Sequence, residues 1–480
     1  MKLNKTLTSI CVLVMVIFVM SAFLSAGEKE DDFYGYFTLG YRFVSTDGVE
    51  TRYKEDINLD SGPRLFNLNL HYKATGSAKK IIDRLDLDIY NFGGDPYETM
   101  GLSIVKYGKF KFDYKRRKST YFYQDIQDSG DMHHFDFERI MDSGAFKIRL
   151  CSAAKFYLNF DLYTKKGSST QSFDISRDEF EFDKPIDEMS KTVAVGLDVK
   201  VKKFAFVLEE KIQDYENTNS MFLPGFSLGE DPDPAASLNY FFLNQPYDFK
   251  SYTTTAKIKA NPFAFLLIQG AAQISKQDTN LNYTDSASGA SYLGDDFAYM
   301  YQGSGSFERN IKLYDLDLTL LLSNKLAVVG AVRYKSFVQD GELTGDAAAA
   351  SRWKFDTLGL EGGLQFQASS NFALTFGLRS EERDIERGME EAAGEEGVEG
   401  ETTKRRGFFG NMLWKLSKNF KLTADYQYGT YQDVFTLTSP TQFKPFPLNR
   451  AFESQRVLCH RHLSLKQERK RHLRRNVGSQ

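Results

Sequence analysis

The chain has 480 residues, with 61 Lys+Arg against 64 Asp+Glu and 41% hydrophobic residues, a fraction too low for a bundle of membrane helices. Aromatic residues reach 14%, as 41 Phe and 26 Tyr with only 2 Trp; their spread along the chain argues against disorder, and 3 Cys are too few for a disulfide-framed fold. Beyond residue 26 no apolar run is long enough to cross a bilayer as a helix.

The chain opens with a targeting pattern. Lys2 and Lys5 make a short basic segment, residues 7–24 are apolar apart from Thr8, Ser9 and Ser21, and the small residues Ser25, Ala26 and Gly27 precede the polar Glu28-Lys29-Glu30-Asp31-Asp32. This predicts a secretory signal over residues 1–27 and an exported mature chain that keeps Cys151 and Cys459. Residues 450–480 hold nine Lys/Arg and two Asp/Glu, a net +7; with Lys2 and Lys5 removed, the body 28–449 is left at −12. An acidic body thus carries a basic tail.

From residue 33 onward the hydropathy period is two, the period of a strand with one apolar face. Phe66, Leu68, Leu70 and Tyr72 alternate with Asn67, Asn69 and His71; Leu85, Leu87 and Ile89 alternate with Arg84, Asp86 and Asp88. Phe110, Phe112 and Tyr114 alternate with Lys111, Asp113 and Lys115; Phe156, Leu158, Phe160 and Leu162 alternate with Tyr157, Asn159 and Asp161. Val193 to Val201 oppose Asp198 and Lys200 in the same way, and Leu316 to Leu322 oppose Asp315, Asp317 and Thr319. About seventeen such segments occur, each near the 9–11 residues that cross a bilayer as a tilted strand. They begin near Phe33, Arg64, Ile82, Thr99, Phe110, Ala145, Lys155, Lys191, Lys203, Tyr252, Phe263, Ile311, Lys325, Thr357, Phe372, Gly407 and Phe420.

Tight turns at Tyr107-Gly108-Lys109, Lys202-Lys203, Asn261-Pro262, Ser323-Asn324-Lys325, Ser369-Ser370-Asn371 and Ser417-Lys418-Asn419 alternate with long polar stretches at 118–144, 164–190, 213–251, 274–310, 338–356 and 384–406. We read the latter as loops. Short turns on one side and long loops on the other mark outer-membrane barrels, with the short turns periplasmic. All 11 Pro fall outside the alternating segments, as a strand ladder requires. A weak repeat places Phe156, Phe204, Phe263, Leu326, Phe372 and Phe420 just after short turns, where a periplasmic aromatic girdle would sit. The expected fold is therefore all-β: a large transmembrane antiparallel β-barrel of 16 or more strands, spanning residues 28–449, in the bacterial outer membrane.

No catalytic, cofactor-binding or metal-binding motif stands out, so an enzyme is not expected. The body holds His71, on the polar face of a strand, and His133-His134 at the end of a long polar stretch, with no carboxylate or Cys at ligand spacing. Cys459-His460 resembles the end of a haem-attachment motif, but Arg456 stands where the first Cys belongs, so the chain carries no covalent haem of its own. Residues 381–401 hold ten acidic residues and two Arg at a spacing that matches no Ca²⁺ loop. The candidate functional residues are those expected to face the lumen: Arg84, Asp86, Asp88, Lys111, Asp113, Lys115, Asn159 and Asp161. Their mixed sign argues against a strongly selective single-ion pore. Leu85, Leu87, Ile89, Phe156, Leu158, Phe160 and Leu162 are expected to face lipid.

The N-terminal third resembles the large outer-membrane barrels of the MtrB/PioB type and their relatives. The likeness is carried by Gly40-Tyr41-Arg42-Phe43, Asp56-Ile57-Asn58-Leu59, Gly62-Pro63-Arg64-Leu65-Phe66-Asn67-Leu68, Asp83-Arg84-Leu85-Asp86-Leu87-Asp88, Gly93-Gly94-Asp95-Pro96-Tyr97, Tyr107-Gly108-Lys109-Phe110 and Tyr121-Phe122-Tyr123, with Thr436-Leu437-Thr438-Ser439-Pro440 later. The resemblance implies a barrel that sheathes a periplasmic multihaem cytochrome and lets electrons cross the outer membrane, the haem residing in the partner alone. The chain lacks the paired Cys that some electron-conduit members carry near the mature N-terminus, and it is shorter than the full conduits.

Two functions are therefore expected: a structural sheath or scaffold for an exported partner, or a porin-like channel for small solutes. The expected partners are outer-membrane lipid, the barrel-assembly machinery and a multihaem cytochrome, and no nucleic acid. The C-terminus is expected to be foreign to the barrel. An even strand count needs a strand after the seventeenth, yet residues 456–475 carry eight Lys/Arg and three His without alternation. We therefore expect a barrel truncated near residues 447–456, with 450–480 as a basic tail.

Overall fold

The computed structural model describes residues 32–75, 81–124, 133–230, 236–346, 348–391, 396–417, 420–438 and 448–463. The predicted signal over 1–27 and the chain beyond 463 lie outside the described residues.

The alternating segments are strands of one antiparallel sheet. In chain order they are β1 (Asp32–Arg42), β2 (Gly62–Lys73), β3 (Arg84–Phe92), β4 (Tyr97–Lys106), β5 (Phe110–Gln124), β6 (His134–Arg149), β7 (Ala154–Ile175), β8 (Asp178–Val201), β9 (Phe204–Asn217), β10 (Ser220–Phe222), β11 (Ser227–Leu228) and β12 (Ser237–Asn244). They continue as β13 (Tyr247–Phe263), β14 (Leu266–Ala290), β15 (Asp296–Leu321), β16 (Leu326–Gly345), β17 (Ala349–Ser369), β18 (Phe372–Glu391), β19 (Glu396–Ser417), β20 (Phe420–Thr438) and β21 (Leu448–Leu463). One short helix, α1 (Glu50–Asp56), lies between β1 and β2. The architecture is that of a large β-barrel wall, with all 21 strands in a single sheet.

Each long strand pairs with the next long strand along the chain, β9 with β13 across the three short strands between them. The three short strands β10, β11 and β12 are an insertion, so the wall proper has eighteen strands. Above Asn217 and Tyr247, β10 and β12 replace β9 and β13, with β10 on β8 and β12 on β14.

Two expectations are corrected here. Most of the stretches read as loops are strand: residues 164–190 form the upper halves of β7 and β8, joined at Ser176-Arg177, and residues 274–310 lie largely in β14 and β15. Those two strands have 25 and 26 residues, so each runs about 85 Å, more than twice what a membrane crossing needs. The sequence hid this because the apolar residues of the upper halves, among them Phe180, Phe182, Phe297 and Tyr299, fall on the face opposite to the lower ones, so the period-two signal changes phase while the ladder continues. Second, part of the expected tail is β21, which pairs with β20 from Phe435↔Leu448 to Phe420↔Leu463. It is the strand that parity asks for. Among the described residues no pairing joins β21 to β1.

Proline also departs from expectation, because Pro63, Pro185 and Pro262 lie within β2, β8 and β13. Pro185 is tolerated because it pairs with Ser168 of β7 on one side, while the other side of β8 passes there from β10 at Asp183 to β9 at Glu188. A missing N–H interrupts nothing in that gap.

Continuous register divides the wall into two faces. On one, Val193, Val195 and Leu197 of β8, Leu316 and Leu318 of β15 and Leu358 and Leu360 of β17 stand 37–48% exposed. This apolar stripe ends abruptly upward, at Lys191 above Val193, at Lys312 above Tyr314 and at Asp356 above Leu358. The stripe covers roughly the height of a tilted bilayer-crossing strand. Tyr314 and Tyr334, which close it on β15 and β16, stack with ring centroids 6.0 Å apart. At the opposite rim Phe204, Phe263 and Trp414 are 40–56% exposed.

Leu87 and Ile89, expected on lipid, share this apolar face by register but do not stand free. With Leu68 and Leu70 they form a packed cluster, 2–8% exposed, against which Leu85, Met100 and Leu102 lie. Asn69 and Asp86 on the other face are also buried, so β2 and β3 are covered on both sides.

Above the stripe, β8, β10, β12, β14 and β15 curl around a second core. Phe180, Phe182, Met221, Ala236, Leu238, Phe241 and Ala287 are buried there, with Phe182 and Leu238 at 0% exposure. The hairpin tips meet where Arg177 donates to the Tyr292 hydroxyl at 2.9 Å and lies over its ring. Full burial of each large side chain contributes about 1.5–3 kcal/mol, so this lobe is a folded unit rather than a loose fringe.

Candidate functional site

Cavities lie against the polar face of the sheet. The larger, about 810 Å³, is built on β3 to β7. Pairing aligns the candidate residues there in three adjacent rungs. Asp88, Gly101, Lys115, Ser143 and Asp161 form one rung; Asp86, Ser103, Asp113, Ala145 and Asn159 form the next; Arg84, Val105, Lys111 and Lys147 form the third. All eight sequence-selected residues thus share one face, and Asp88, Asp113, Lys115, Asn159 and Asp161 line the cavity itself, while Arg84, Asp86 and Lys111 lie outside its lining. Small residues on β4 and β6 alternate with charged ones on β3, β5 and β7, and this is what leaves the hollow.

The charges are locally compensated. Asp86 accepts from Arg84 Nε at 2.6 Å and lies 2.8 Å from His71 Nδ1, while the His71 ring stacks on Tyr34 at 4.9 Å. Asp113 accepts from the Ser103 hydroxyl at 2.9 Å and pairs with Lys111 at 2.9 Å. These exposed or half-buried pairs set a mixed potential rather than a field of one sign.

A second basin of about 540 Å³ lies across β8, β9 and β13 to β16. Its charged lining is Asp198, Lys200, Lys257, Lys259, Asp315, Asp317 and Arg333. Arg333 reaches Glu361 at 2.5 Å and Asp317 at 3.6 Å. One rung higher, the Tyr157 hydroxyl donates to Glu209 at 3.0 Å across Gly196, where a Cβ would strike the tyrosine ring. The candidate set omitted this basin, although the alternation of Leu316–Leu322 with Asp315 and Asp317 carried its signal.

His133 and His134 do not converge on a ligand. His133 Nδ1 lies 3.4 Å from Glu181, and His134 Nε2 lies 3.2 Å from the Ser168 hydroxyl. Among the described residues no group of three or more His, Cys, Asp or Glu is placed to hold a metal. Side chains at Cys459 and His460 lie outside the described residues.

Three of the phrases that carried the family resemblance, those around Arg42, Arg64 and Asp95, meet at the rim where β3 turns into β4. Arg64, 3% exposed, donates through Nε to Asp95 at 3.0 Å, through Nη1 to the carbonyls of Gly93 and Pro63, and through Nη2 to the carbonyl of Asp60. Arg42 also pairs with Asp95. Gly93 and Gly94 hold φ of +125° and +109°, which bring the turn against the guanidinium. This is a structural clamp.

Comparison with known proteins stands as follows. No family model matches the chain. No curated protein matches it either. Among solved structures it is similar to the siderophore receptor PiuA from Acinetobacter baumannii, at 9% identity and TM-score 0.41, with 85% of this chain and 81% of that one covered. It is similar to the ferric-catecholate import receptor Fiu from E. coli K12 at 7% identity and TM-score 0.39, covering 80% and 75%. It is similar to a Pseudomonas aeruginosa FadL homologue at 14% identity and TM-score 0.31, covering 73% and 88%. Likenesses this distant say nothing of what this chain carries.

Proposed function

We propose that the protein is an outer-membrane β-barrel whose polar face lines a water-filled lumen for the passage of small solutes. One observation supports this above all: a continuous register puts the exposed apolar stripe on one face and both charged basins on the other. Lipid accommodates the first and water the second, since a charge facing lipid at mid-bilayer costs about 2–4 kcal/mol. Arg84, Asp86, Asp88, Lys111, Asp113, Lys115, Asn159 and Asp161 are lumen residues in this reading, and their paired signs suit a weakly selective pore. Folded protein inserted in a planar bilayer should give stepwise ohmic conductance with little cation or anion preference. A folded, inserted protein that stays electrically silent would defeat the channel.

A second reading, the sheath, is favoured by length. Strands of 25 and 26 residues carry the wall far beyond the height of a bilayer, more than a solute pore needs and enough to surround a protein partner. Such a partner, a multihaem cytochrome in this reading, would bring the haem. Affinity purification of the barrel from its native membrane followed by a peroxidase stain for covalent haem tests it, and a stain-free complex argues against it.

A further inference from the structure

The polar face changes character above the apolar stripe. On β15 to β18 three successive rungs run across four strands. The lowest carries Leu313, Lys335, Thr357 and Arg383. The middle carries Ile311, Phe337, Phe355 and Ile385. The upper carries Arg309, Gln339, Trp353 and Arg387. These twelve positions hold four cations, three aromatic rings and no carboxylate, whereas the basins below balance both signs.

The geometry is a layered stack. Phe337 and Phe355 lie with centroids 4.6 Å apart and planes 10° from parallel. Arg309 sits 5.6 Å from the Phe337 centroid and Lys335 sits 5.2 Å from that of Phe355, so a cation lies against each end of the ring pair. Arg309 donates Nε and a terminal nitrogen to the neutral Gln339 amide, at 3.0 and 2.6 Å. Arg387 lies 4.7 Å from the centroid of Trp353, which remains 41% exposed. Acidic residues border the patch on two sides: Glu401 and Glu399 of β19 stand opposite Ile385 and Arg387 in register, and Glu381, one rung below, lies 4.0 Å from Arg383. Within the patch, rings and an amide hold Arg309 and Lys335 in place without cancelling their charge. A solute that brings both a flat ring and a negative charge satisfies both features of the patch.

We infer that this patch is a binding site for small planar organic anions of the aromatic carboxylate class, set inside the outer mouth. The inference rests on the polar face being the lumen, and its test is independent of conduction. Trp353 is a built-in reporter, because the only other tryptophan, Trp414, lies near the opposite rim and can be replaced as Trp414→Phe. Benzoate is the probe, with acetate and benzyl alcohol separating charge from ring. Benzoate should quench Trp353 saturably, with acetate and benzyl alcohol at least tenfold weaker, and Arg309→Gln with Lys335→Gln should weaken benzoate tenfold or more. Benzyl alcohol binding as well as benzoate, or no saturable quenching by benzoate, overturns the inference; both are read on protein with the patch intact, so a misfolded variant cannot obscure them. A protein that conducts but does not bind benzoate sinks this site alone. One that binds benzoate but never conducts sinks the channel alone.

Discussion

Arg64 and Asp95 meet at 3.0 Å in a site where both side chains are at most 5% exposed, 31 residues apart in sequence. Their pairing ties the start of β2 to the turn between β3 and β4. Removing Asp95 leaves Arg64 buried and uncompensated, which costs about 3–5 kcal/mol; removing Arg64 costs less, because Asp95 keeps Arg42. Asp95→Asn and Arg64→Gln should each lower the temperature at which the folded band disappears on unheated gels. Arg64→Lys should not restore it, because an ammonium cannot reach the carboxylate and the turn carbonyl together. Wild-type thermal stability in these variants would show the clamp to be dispensable.

The apolar stripe makes a register-specific prediction. Leu316→Arg or Leu360→Arg should cost about 2–4 kcal/mol near mid-bilayer, whereas Asp315→Arg, one position away on the polar face, should cost little. Urea-induced unfolding in lipid vesicles measures both. Equal penalties at Leu316 and Asp315 would break the assignment of faces, because a slip of one residue exchanges them.

The upper lobe should come loose without the wall. Phe182→Ala removes a ring at 0% exposure and should cost about 3–5 kcal/mol locally. Limited proteolysis should then cut at the tips near Arg177 and residues 291–295, while the membrane-protected fragment survives. Loss of the whole folded band would show that lobe and wall fold as one.

Asp285 and Tyr299 give the lobe a pH dependence. Burial pushes the Asp285 carboxyl above its ordinary range, against the opposing hydrogen bond from Tyr299. Burial first, and then Asp285, push the Tyr299 hydroxyl up to about 12. A raised folded-state value favours the protonated form, so folding is least hindered at Asp285 below the unfolded value and is opposed as pH rises through the folded one. Asp285→Asn should therefore stabilise the lobe at neutral pH and have little effect below about pH 4, near the ordinary aspartate value. Hydrogen exchange of β14 and β15 at the two pH values reads this, and equal effects at both would contradict it.

Alternation alone located each of the seventeen segments in, or within two residues of, a wall strand, because a strand with one apolar and one polar face writes period two into its sequence. It also grouped Arg84, Asp88, Lys115 and Asp161 on one side of their strands. It could not show that the polar stretches continue as strand, since the apolar residues of upper β14 and β15, Ala287, Phe297 and Tyr299, switch to the other face and break the phase. The stretch of β21 read as a tail because its Arg and His residues leave no clean alternation. Pairing between distant strands decided everything else. Only register brings Arg309, Phe337, Phe355 and Lys335 together from three strands, only the curled lobe buries Phe182 against Phe241, and only the folded turn delivers Asp95 to Arg64. Sequence periodicity reports what one strand shows to its surroundings; which charges and rings become neighbours depends on how the ladder aligns strands far apart in the chain.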